Sequence, residues 1–324
     1  MARIWAITVA LGRAVVREQR HLKGLSANNL FLLILVFGMG GAGPFVFLLV
    51  GLVALAPLCS DPLRQLPVER VGAWPLSARE MTAVRLSSVL LSPGTWVAVG
   101  AVLWTAQPQF LLLIFFAAVF AIPFPARVFR LAPGVLGELV RKNLREMLML
   151  LDPYVALLFS VSTIGYRLFH PELPFEASLA MTLVVCVALS TSAQALFALD
   201  CIRGAERYAL LPLRGWRVLL AKHAAYATIA LPLTLPLHPV AAIAALLVAL
   251  AIGNHVSVMK PRAHVKWSLT AGSFELGLVQ VGVMVGAGLY AAQETAWVIV
   301  PLAGLYAGST AFYGRVLERG QLVR

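Results

Sequence analysis

The sequence predicts an all-α polytopic membrane protein. Hydrophobic residues occupy 60% of the 324 positions and charged residues only 12%, whereas a soluble domain averages about 25% charged residues. Apolar runs of about 20 residues recur along the chain, and each is long enough to cross a hydrocarbon layer of about 30 Å as a helix. The basic residues lie between these runs, so the net charge of +12 indicates membrane topology and not a nucleic-acid partner.

The positions of the basic residues predict the orientation in the membrane. All but one of the 26 Lys and Arg residues fall in six groups separated by pairs of apolar runs, and the exception is Arg167. Because Lys and Arg are retained on the cytoplasmic side, we expect both termini to be cytoplasmic and the protein to lie in the plasma (inner) membrane. The first apolar run begins near Leu30, too far along the chain for an ordinary secretory signal.

The apolar runs predict about ten transmembrane helices. One pair is expected within 28–57, which would extend about 45 Å as a single helix. The glycines and proline of 38–44 predict a tight hairpin there, and a single tilted span is the alternative. The other spans are expected at 86–104, 109–126, 153–169, 177–199, 223–237, 239–256, 269–292 and 295–313.

Two amphipathic segments predict interfacial helices. Residues 3–22 place apolar side chains on one helical face and Arg13, Arg17 and Arg20 on another. Residues 133–151 likewise have an apolar helical face opposite a charged one. Both patterns favour helices that lie along the inner surface of the membrane, although a solvated leader is the alternative for the first.

Two long cytoplasmic loops share a sequence pattern. The first runs ERVGAWPLSAREMTAVR from Glu69 and the second ERYALLPLRGWRVLLAK from Glu206. An acid also opens each loop, Asp61 in one and Asp200 in the other. The pattern favours a short helix on the inner membrane surface that faces a soluble partner, and a generic basic loop is the alternative. Without gaps, Glu69, Arg70, Pro75, Leu76 and Arg85 match Glu206, Arg207, Pro212, Leu213 and Lys222.

The loops divide the predicted helices into two parallel repeats plus a C-terminal pair, unlike the inverted repeats of many secondary transporters. The expected regions are an N-terminal interfacial helix at 1–27, a first membrane repeat at 28–152 with loop 58–85 and interfacial helix 133–151, a second membrane repeat at 153–268 with loop 200–222, and a C-terminal helical pair with its tail at 269–324.

The second loop resembles a segment of the ABC-2-type permeases, the membrane subunits of ATP-binding-cassette exporters. The matching residues are Asp200, Arg203-Gly204, Arg207, Leu211-Pro212-Leu213 and Lys222. They follow the order of the family's pattern, which is Asp, Gly, Arg, Leu-Pro-Leu and Lys. The later segment from Asn254 to Arg262 is similar to the N, S, P-R loop of the same proteins. The resemblance covers much of 58–268, although about ten crossings are more than the better-known exporters of that class have.

This resemblance implies a permease that pairs with a second copy or a related permease and docks two ATPase subunits on its cytoplasmic loops. ATP and Mg would bind to those partners. The chain contains no Gly-Lys dipeptide and therefore no Walker A phosphate loop. We expect no cofactor, metal site or catalytic motif on this chain, and reduced side chains for Cys59, Cys186 and Cys201. The lipid bilayer is its other expected partner.

Twelve residues of the two loops are candidates for coupling to the ATPase. Glu275, the acid set deepest in a predicted span, is the candidate for the transport path because a carboxylate in hydrocarbon usually faces a partner or a wet cavity. The alternatives to this role are that Glu275 pairs with Lys266 or that it reaches the inner membrane interface. Asp152, just before Pro153, is expected to cap a helix. The coupling candidates are Asp61, Glu69, Arg70, Pro75, Arg79, Arg85, Asp200, Glu206, Arg207, Pro212, Arg217 and Lys222.

The leading functional hypothesis is the membrane-spanning permease subunit of an ATP-binding-cassette exporter, which couples ATP hydrolysis on separate subunits to substrate translocation. A secondary transporter driven by an ion gradient through Glu275 is one alternative. A membrane enzyme or scaffold with no transport path is the other.

Overall fold

The computed structural model describes residues 2–19, 61–66, 68–104, 134–169, 174–200, 208, 213–259, 270, 272–293 and 296–319. Every regular element within these ranges is a helix, which confirms the all-α prediction for them. The predicted hairpin at 28–57, the predicted span at 109–126 and the end of the Asn254 to Arg262 segment lie outside these ranges. The chain divides into two compact units, the first from Met1–Gly24, Ala42–Pro125 and Val265–Leu269, and the second from Leu25–Gly41, Ala126–His264 and Thr270–Arg324.

The first unit differs from the prediction at 86–104. This segment was expected to be one span, but one helix, α4 (Ala78–Leu91), ends at Leu91 and the next, α5 (Pro93–Trp104), begins at Pro93. Ser92 between them has an extended backbone, because the ring of a following proline disfavours the helical conformation. The described helices of this unit are α1 (Ala2–Gln19), α2 (Pro62–Gln65), α3 (Val68–Gly72), α4 (Ala78–Leu91) and α5 (Pro93–Trp104).

The apolar face of α1 is buried against other helices of the first unit. Leu11 of α1 packs with Leu63 of α2 and Val84 of α4 in one cluster. Thr8 Oγ1 lies 3.1 Å from Ser87 Oγ on α4. The start of α4 is fixed by a capping box, since the side chain of Ser77 accepts from the Glu80 amide and the Glu80 side chain accepts from the Ser77 amide.

In the second unit, three helices are long and apolar enough to cross a membrane: α8 (Phe175–Gln194), α10 (Pro239–Met259) and α11 (Phe274–Gln293). A fourth candidate exists if α6 (Val135–Met147) and α7 (Asp152–Phe169), which are bent by 81° at their junction, form one broken span. The described residues therefore do not confirm the predicted ten crossings. The helices of this unit are α6 (Val135–Met147), α7 (Asp152–Phe169), α8 (Phe175–Gln194), α9 (Gly215–Thr234), α10 (Pro239–Met259), α11 (Phe274–Gln293) and α12 (Ile299–Glu318), with a 3₁₀ turn at Ala296–Val298.

The interior of the second unit is built around α8 and α10. Every residue of α8 from Thr182 to Gln194 is buried, as expected for a helix that is covered on all sides. Small residues permit close packing between these helices. A Cβ atom on Gly253 of α10 would lie 2.9 Å from the backbone of Ala193 on α8. The end of α8 is therefore held firmly against the second half of α10.

A second close contact joins the start of α9 to the end of α12. A Cβ atom on Gly215 would lie 2.2 Å from the carbonyl oxygen of Gly314, and one on Gly314 would lie 2.8 Å from the backbone of Trp216. The Gly215 amide also donates a hydrogen bond to Glu318 Oε1 at 2.9 Å. This contact fixes where α9 begins and thus the positions of the polar side chains on its first turns.

Candidate partner-coupling site

Lys222 of α9 is a buried ammonium whose three protons are all used. Its side chain is 1% exposed. The Nζ atom donates to Asp200 Oδ2 at 2.8 Å, to Asn143 Oδ1 at 3.1 Å and to the carbonyl oxygen of Leu196 at 2.6 Å. A buried charge is tolerated when it is paired and fully hydrogen-bonded. Lys222 therefore joins α9 to α6 and to the end of α8.

A second ammonium, on Lys142 of α6, approaches the other oxygen of Asp200. Lys142 Nζ lies 2.5 Å from Asp200 Oδ1 and 3.0 Å from the hydroxyl of Tyr208. That hydroxyl donates to Asp200 Oδ1 at 2.8 Å, and Glu146 Oε1 lies 3.5 Å from Lys142 Nζ. We call Lys142, Asn143, Glu146, Asp200, Tyr208 and Lys222 the Asp200 cluster.

The contacts of the cluster favour the charged forms of Asp200 and Lys142. Burial alone would raise the pKa of Asp200, but the charge of Lys222 and the hydrogen bonds from both lysines lower that pKa below its ordinary value. Burial likewise opposes the charge of Lys142, but the hydrogen bonds to Asp200 and Tyr208 outweigh it and raise the pKa. For Glu146, burial raises the pKa by more than Lys142 lowers it.

The first loop has a related arrangement. Asp61 is 3% exposed, and its carboxylate accepts hydrogen bonds from the Leu63 amide at 3.0 Å and from Ser88 Oγ of α4 at 2.7 Å. In both loops the opening aspartate is thus buried and bonded to the helix that follows the loop. The two following helices also begin at matching positions, α4 at Ala78, three residues after Pro75, and α9 at Gly215, three residues after Pro212.

Apart from the buried Lys222, the basic coupling candidates whose side chains are described are exposed. In the first loop the exposed candidates are Arg70, Pro75, Arg79 and Arg85. Arg217 of α9 is exposed and its guanidinium lies 5.3 Å from the centre of the Trp216 ring. Glu69 lies within α3. The side chain of Glu69 lies outside the described part of the chain, and so do Glu206, Arg207 and Pro212.

Glu275 lies in the first turn of α11 and is exposed. The predicted span began at 269, which would have placed this carboxylate about six residues inside it. The helix begins later because the preceding residues bind Gln194 of α8. The Ser273 amide donates to Gln194 Oε1 at 3.0 Å, and a Cβ atom on Gly272 would lie 2.3 Å from that oxygen. A role for Glu275 in the transport path stays a prediction.

Two further polar networks inside the second unit were not predicted from the sequence. Gln280 of α11 donates from Nε2 to the carbonyl oxygens of Ala249 at 2.7 Å and Ser190 at 3.3 Å. Its Oε1 accepts a hydrogen bond from Gln194 Nε2. These contacts join α8, α10 and α11 through groups that would otherwise be unsatisfied in an apolar interior.

The second network includes residues of the Asn254 to Arg262 segment. His223 Nε2 lies 2.8 Å from Asn254 Oδ1, and His223 Nδ1 lies 2.9 Å from the hydroxyl of Tyr306. Asn254 Nδ2 donates to Ser309 Oγ at 3.2 Å, and Ser257 Oγ accepts from the Phe197 amide at 3.1 Å. Asn254 and Ser257 therefore act as interior contacts that join α10 to α9, to α12 and to the segment just after α8.

One sequence signal for the Asp200 cluster was available. Asn143 falls between Val140 and Leu144, on the apolar face of the amphipathic segment 133–151, and a polar residue there implies a buried partner. Lys142 lies on the charged face and was assigned to the membrane surface. Nothing in the sequence distinguishes Tyr208 from other loop residues.

Comparison of the chain with protein-family models, curated proteins and solved structures finds no match. Within the described residues, no group of three or more His, Cys, Asp or Glu side chains could hold a metal ion. The functional assignment therefore depends on the sequence pattern and on the geometry of the Asp200 cluster.

Proposed function

We propose that this chain is the permease subunit of an ATP-driven transporter of the ABC-2 exporter type. In this proposal separate ATPase subunits dock on loops 58–85 and 200–222, and ATP hydrolysis there changes the exposure of a path through a permease dimer. The observation that carries the proposal is the shared construction of the two loops, each with a buried aspartate bonded to the helix that follows the loop.

Force transmission from a soluble partner requires a stiff connection between the docking surface and a membrane helix. Arg217 is exposed and lies on α9, five residues before the buried Lys222. Because both belong to one helix, displacement of the surface at Arg217 moves Lys222 as well. Through Asp200 and Asn143, that movement reaches α8 and α6. The Asp200 cluster is therefore suited to pass a displacement from α9 to its neighbours.

Co-purification with a candidate ATPase tests this proposal. A reading frame with a Walker A motif beside the gene supplies the candidate. We expect the ATPase to co-purify with the wild-type chain, and charge reversal by Arg70→Glu or Arg217→Glu to weaken the complex at least tenfold, since rim charges steer and orient such contacts. Arg167→Glu is the matched control, because Arg167 is also exposed but lies on the predicted outer side.

The proposal would be wrong if no such ATPase co-purifies, or if both reversals leave the complex and its ATPase activity at the level of Arg167→Glu. Equal weakening by all three substitutions would also contradict it, because the effect would then be one of net charge and not of the loops.

A further inference from the structure

Asp152 is a buried carboxylate with no countercharge among the residues that the structure describes. It is the first residue of α7 and is 1% exposed. Within the described part of the chain its hydrogen-bond donors are neutral. Thr191 Oγ1 lies 3.1 Å from Oδ1, the Thr270 amide lies 3.2 Å from Oδ2, and the Thr270 hydroxyl also bonds Oδ2. Asp200, in contrast, contacts two ammonium groups.

A buried charge without a partner is costly, and such a carboxyl lowers the cost by taking up a proton. In the membrane region an ionisable residue of this kind marks a functional site by default. The sequence suggested a helix cap at Asp152, and the residue does begin a helix. Its side chain, however, joins α7 to the end of α8 and to the segment that leads into α11.

The hydrogen bonds around Asp152 can be completed in both protonation states. When the carboxyl is ionised, the Thr191 hydroxyl donates to Oδ1. The same hydroxyl has a second acceptor, the carbonyl oxygen of Ala188 at 3.4 Å. When a proton binds Oδ1, that proton is donated to Thr191 Oγ1 and the Thr191 hydroxyl turns to Ala188. The Thr270 amide and hydroxyl remain on Oδ2 throughout, so one added proton and one rotated O–H bond leave no group unsatisfied.

We propose that Asp152 is a proton-binding site at the point where α7, α8 and the segment preceding α11 meet. This inference goes beyond the proposed function and does not depend on an ATPase partner. Proton binding changes the charge on the carboxyl that holds Thr270, four residues before the first residue of α11. The site therefore links proton uptake to the placement of that helix.

Two titratable side chains lie close to the site, Tyr226 of α9 and Cys186 of α8. Both are buried, and the Tyr226 hydroxyl has no hydrogen-bond partner in the described part of the chain. Near the end of α6, Arg145 is exposed and Glu146 contacts Lys142. Lys142 and Lys222, the lysines of α6 and α9, are bound to Asp200. Neither neutralises Asp152.

Carboxyl NMR of the full chain tests the proposal directly. The sequence contains three aspartates, Asp61, Asp152 and Asp200, so labelling aspartate with ¹³C at the side-chain carboxyl gives three signals. Asp152→Asn assigns one of them. If that variant does not fold, Asp61→Asn and Asp200→Asn assign the other two signals and leave Asp152 by elimination.

We expect the Asp152 signal to move between its protonated and ionised positions within the pH range over which the chain stays folded, and at higher pH than the Asp200 signal. Thr191→Val should raise the midpoint by about one pH unit, because the lost hydrogen bond stabilises the ionised carboxylate more than the neutral acid. Thr182→Val is the matched control. Thr182 is buried on the same helix, and its hydroxyl donates to the backbone carbonyl oxygen of Ser178 in that helix. The midpoint should therefore not move in Thr182→Val.

A signal from Asp152 that keeps one position over the whole range in which the chain is folded would overturn the proposal, whether that position is the ionised or the protonated one. A midpoint in Thr191→Val equal to that of Thr182→Val would overturn the assigned hydrogen-bond exchange. The measurement uses the isolated chain, so a failure to find an ATPase partner leaves its outcome unchanged.

Discussion

Lys222 and Arg85 occupy matching positions in the two loops but have opposite surroundings. Lys222 is buried and donates to three acceptors, whereas Arg85 is exposed. Lys222 contacts Asp200, the aspartate that opens its loop and that also accepts from Lys142. Asp61, which opens the other loop, accepts from Ser88 of α4. The same position of the shared loop pattern is thus buried in one loop and exposed in the other.

Replacing Lys222 by methionine should destabilise the chain by about 3–5 kcal/mol, since removal of one partner leaves an uncompensated buried charge. The measurement is the free energy of unfolding in a mild detergent. Arg85→Met is the control and should change that free energy by no more than about 0.5 kcal/mol, because surface substitutions usually do little. Equal effects of the two substitutions would show that Lys222 is not held as described.

The stability of the chain should also fall in acid through Asp200. Because the fold lowers the pKa of this carboxyl, its stabilising contribution is present above the ordinary pKa of about 3.9 and is lost as the pH falls through the lower folded value. Asp200→Asn removes this contribution. Unfolding measured between about pH 5 and pH 2 should therefore show a shallower loss of stability in the variant. An unchanged slope would contradict the lowered pKa.

The sequence identified some members of the Asp200 cluster but not their pairing. Asp200 and Lys222 were both chosen from the loop pattern, and they prove to be bonded to each other. Lys142 is 58 residues from Asp200, and its position on the charged face of α6 gave no sign that its ammonium contacts a buried carboxylate. Such pairing is set by how α6, α8 and α9 pack, which helical periodicity does not specify.

At the scale of helices, the crossing of α9 and α12 depends on two glycines in contact. Gly314→Ala should destabilise the chain by about 1–3 kcal/mol, because the added methyl group would overlap the backbone of Trp216. Gly308→Ala, on the same helix but with no atom within 4 Å of the added carbon, is the control. It should leave stability unchanged or raise it by up to about 1 kcal/mol through helix propensity. Thermal unfolding of both variants separates the two effects.

The helix positions themselves follow from the sequence better than their ends do. Predicted spans at 153–169 and 239–256 correspond to α7 at Asp152–Phe169 and α10 at Pro239–Met259, where Pro153 and Pro239 mark the starts. The start of α11 was placed five residues too early because it is set by the contact of Gly272 and Ser273 with Gln194. That contact is tertiary and leaves no local signal.

At the scale of the whole molecule, the second unit has two distinct ends. At one end Ser178 of α8 donates to the carbonyl oxygen of Leu237, just after α9, at 2.9 Å. At the other end Lys222 of α9 reaches Leu196, just after α8. The two helices are therefore antiparallel. The basic residues predict that the end with Lys222 faces the cytoplasm.

Cysteine labelling tests this orientation. After the three native cysteines are replaced by serine, a cysteine at Glu176 should react with an impermeant reagent added to intact cells. A cysteine at Arg214 should react only after permeabilisation. Both residues are exposed, so burial does not separate them. Cysteines at Gly41 and Gln107 extend the test to the predicted first pairs, where cytoplasmic labelling would contradict the ten-span prediction.

During synthesis Asp200 leaves the ribosome 22 residues before Lys222, and Lys142 leaves before both. Since chains fold progressively from their N-terminal end, the carboxylate is already made when the second ammonium emerges. Both partners of Lys222 in the ion pair and the hydrogen bond to α6, Asp200 and Asn143, therefore precede it in synthesis, and the buried ammonium can be paired as soon as the start of α9 is made.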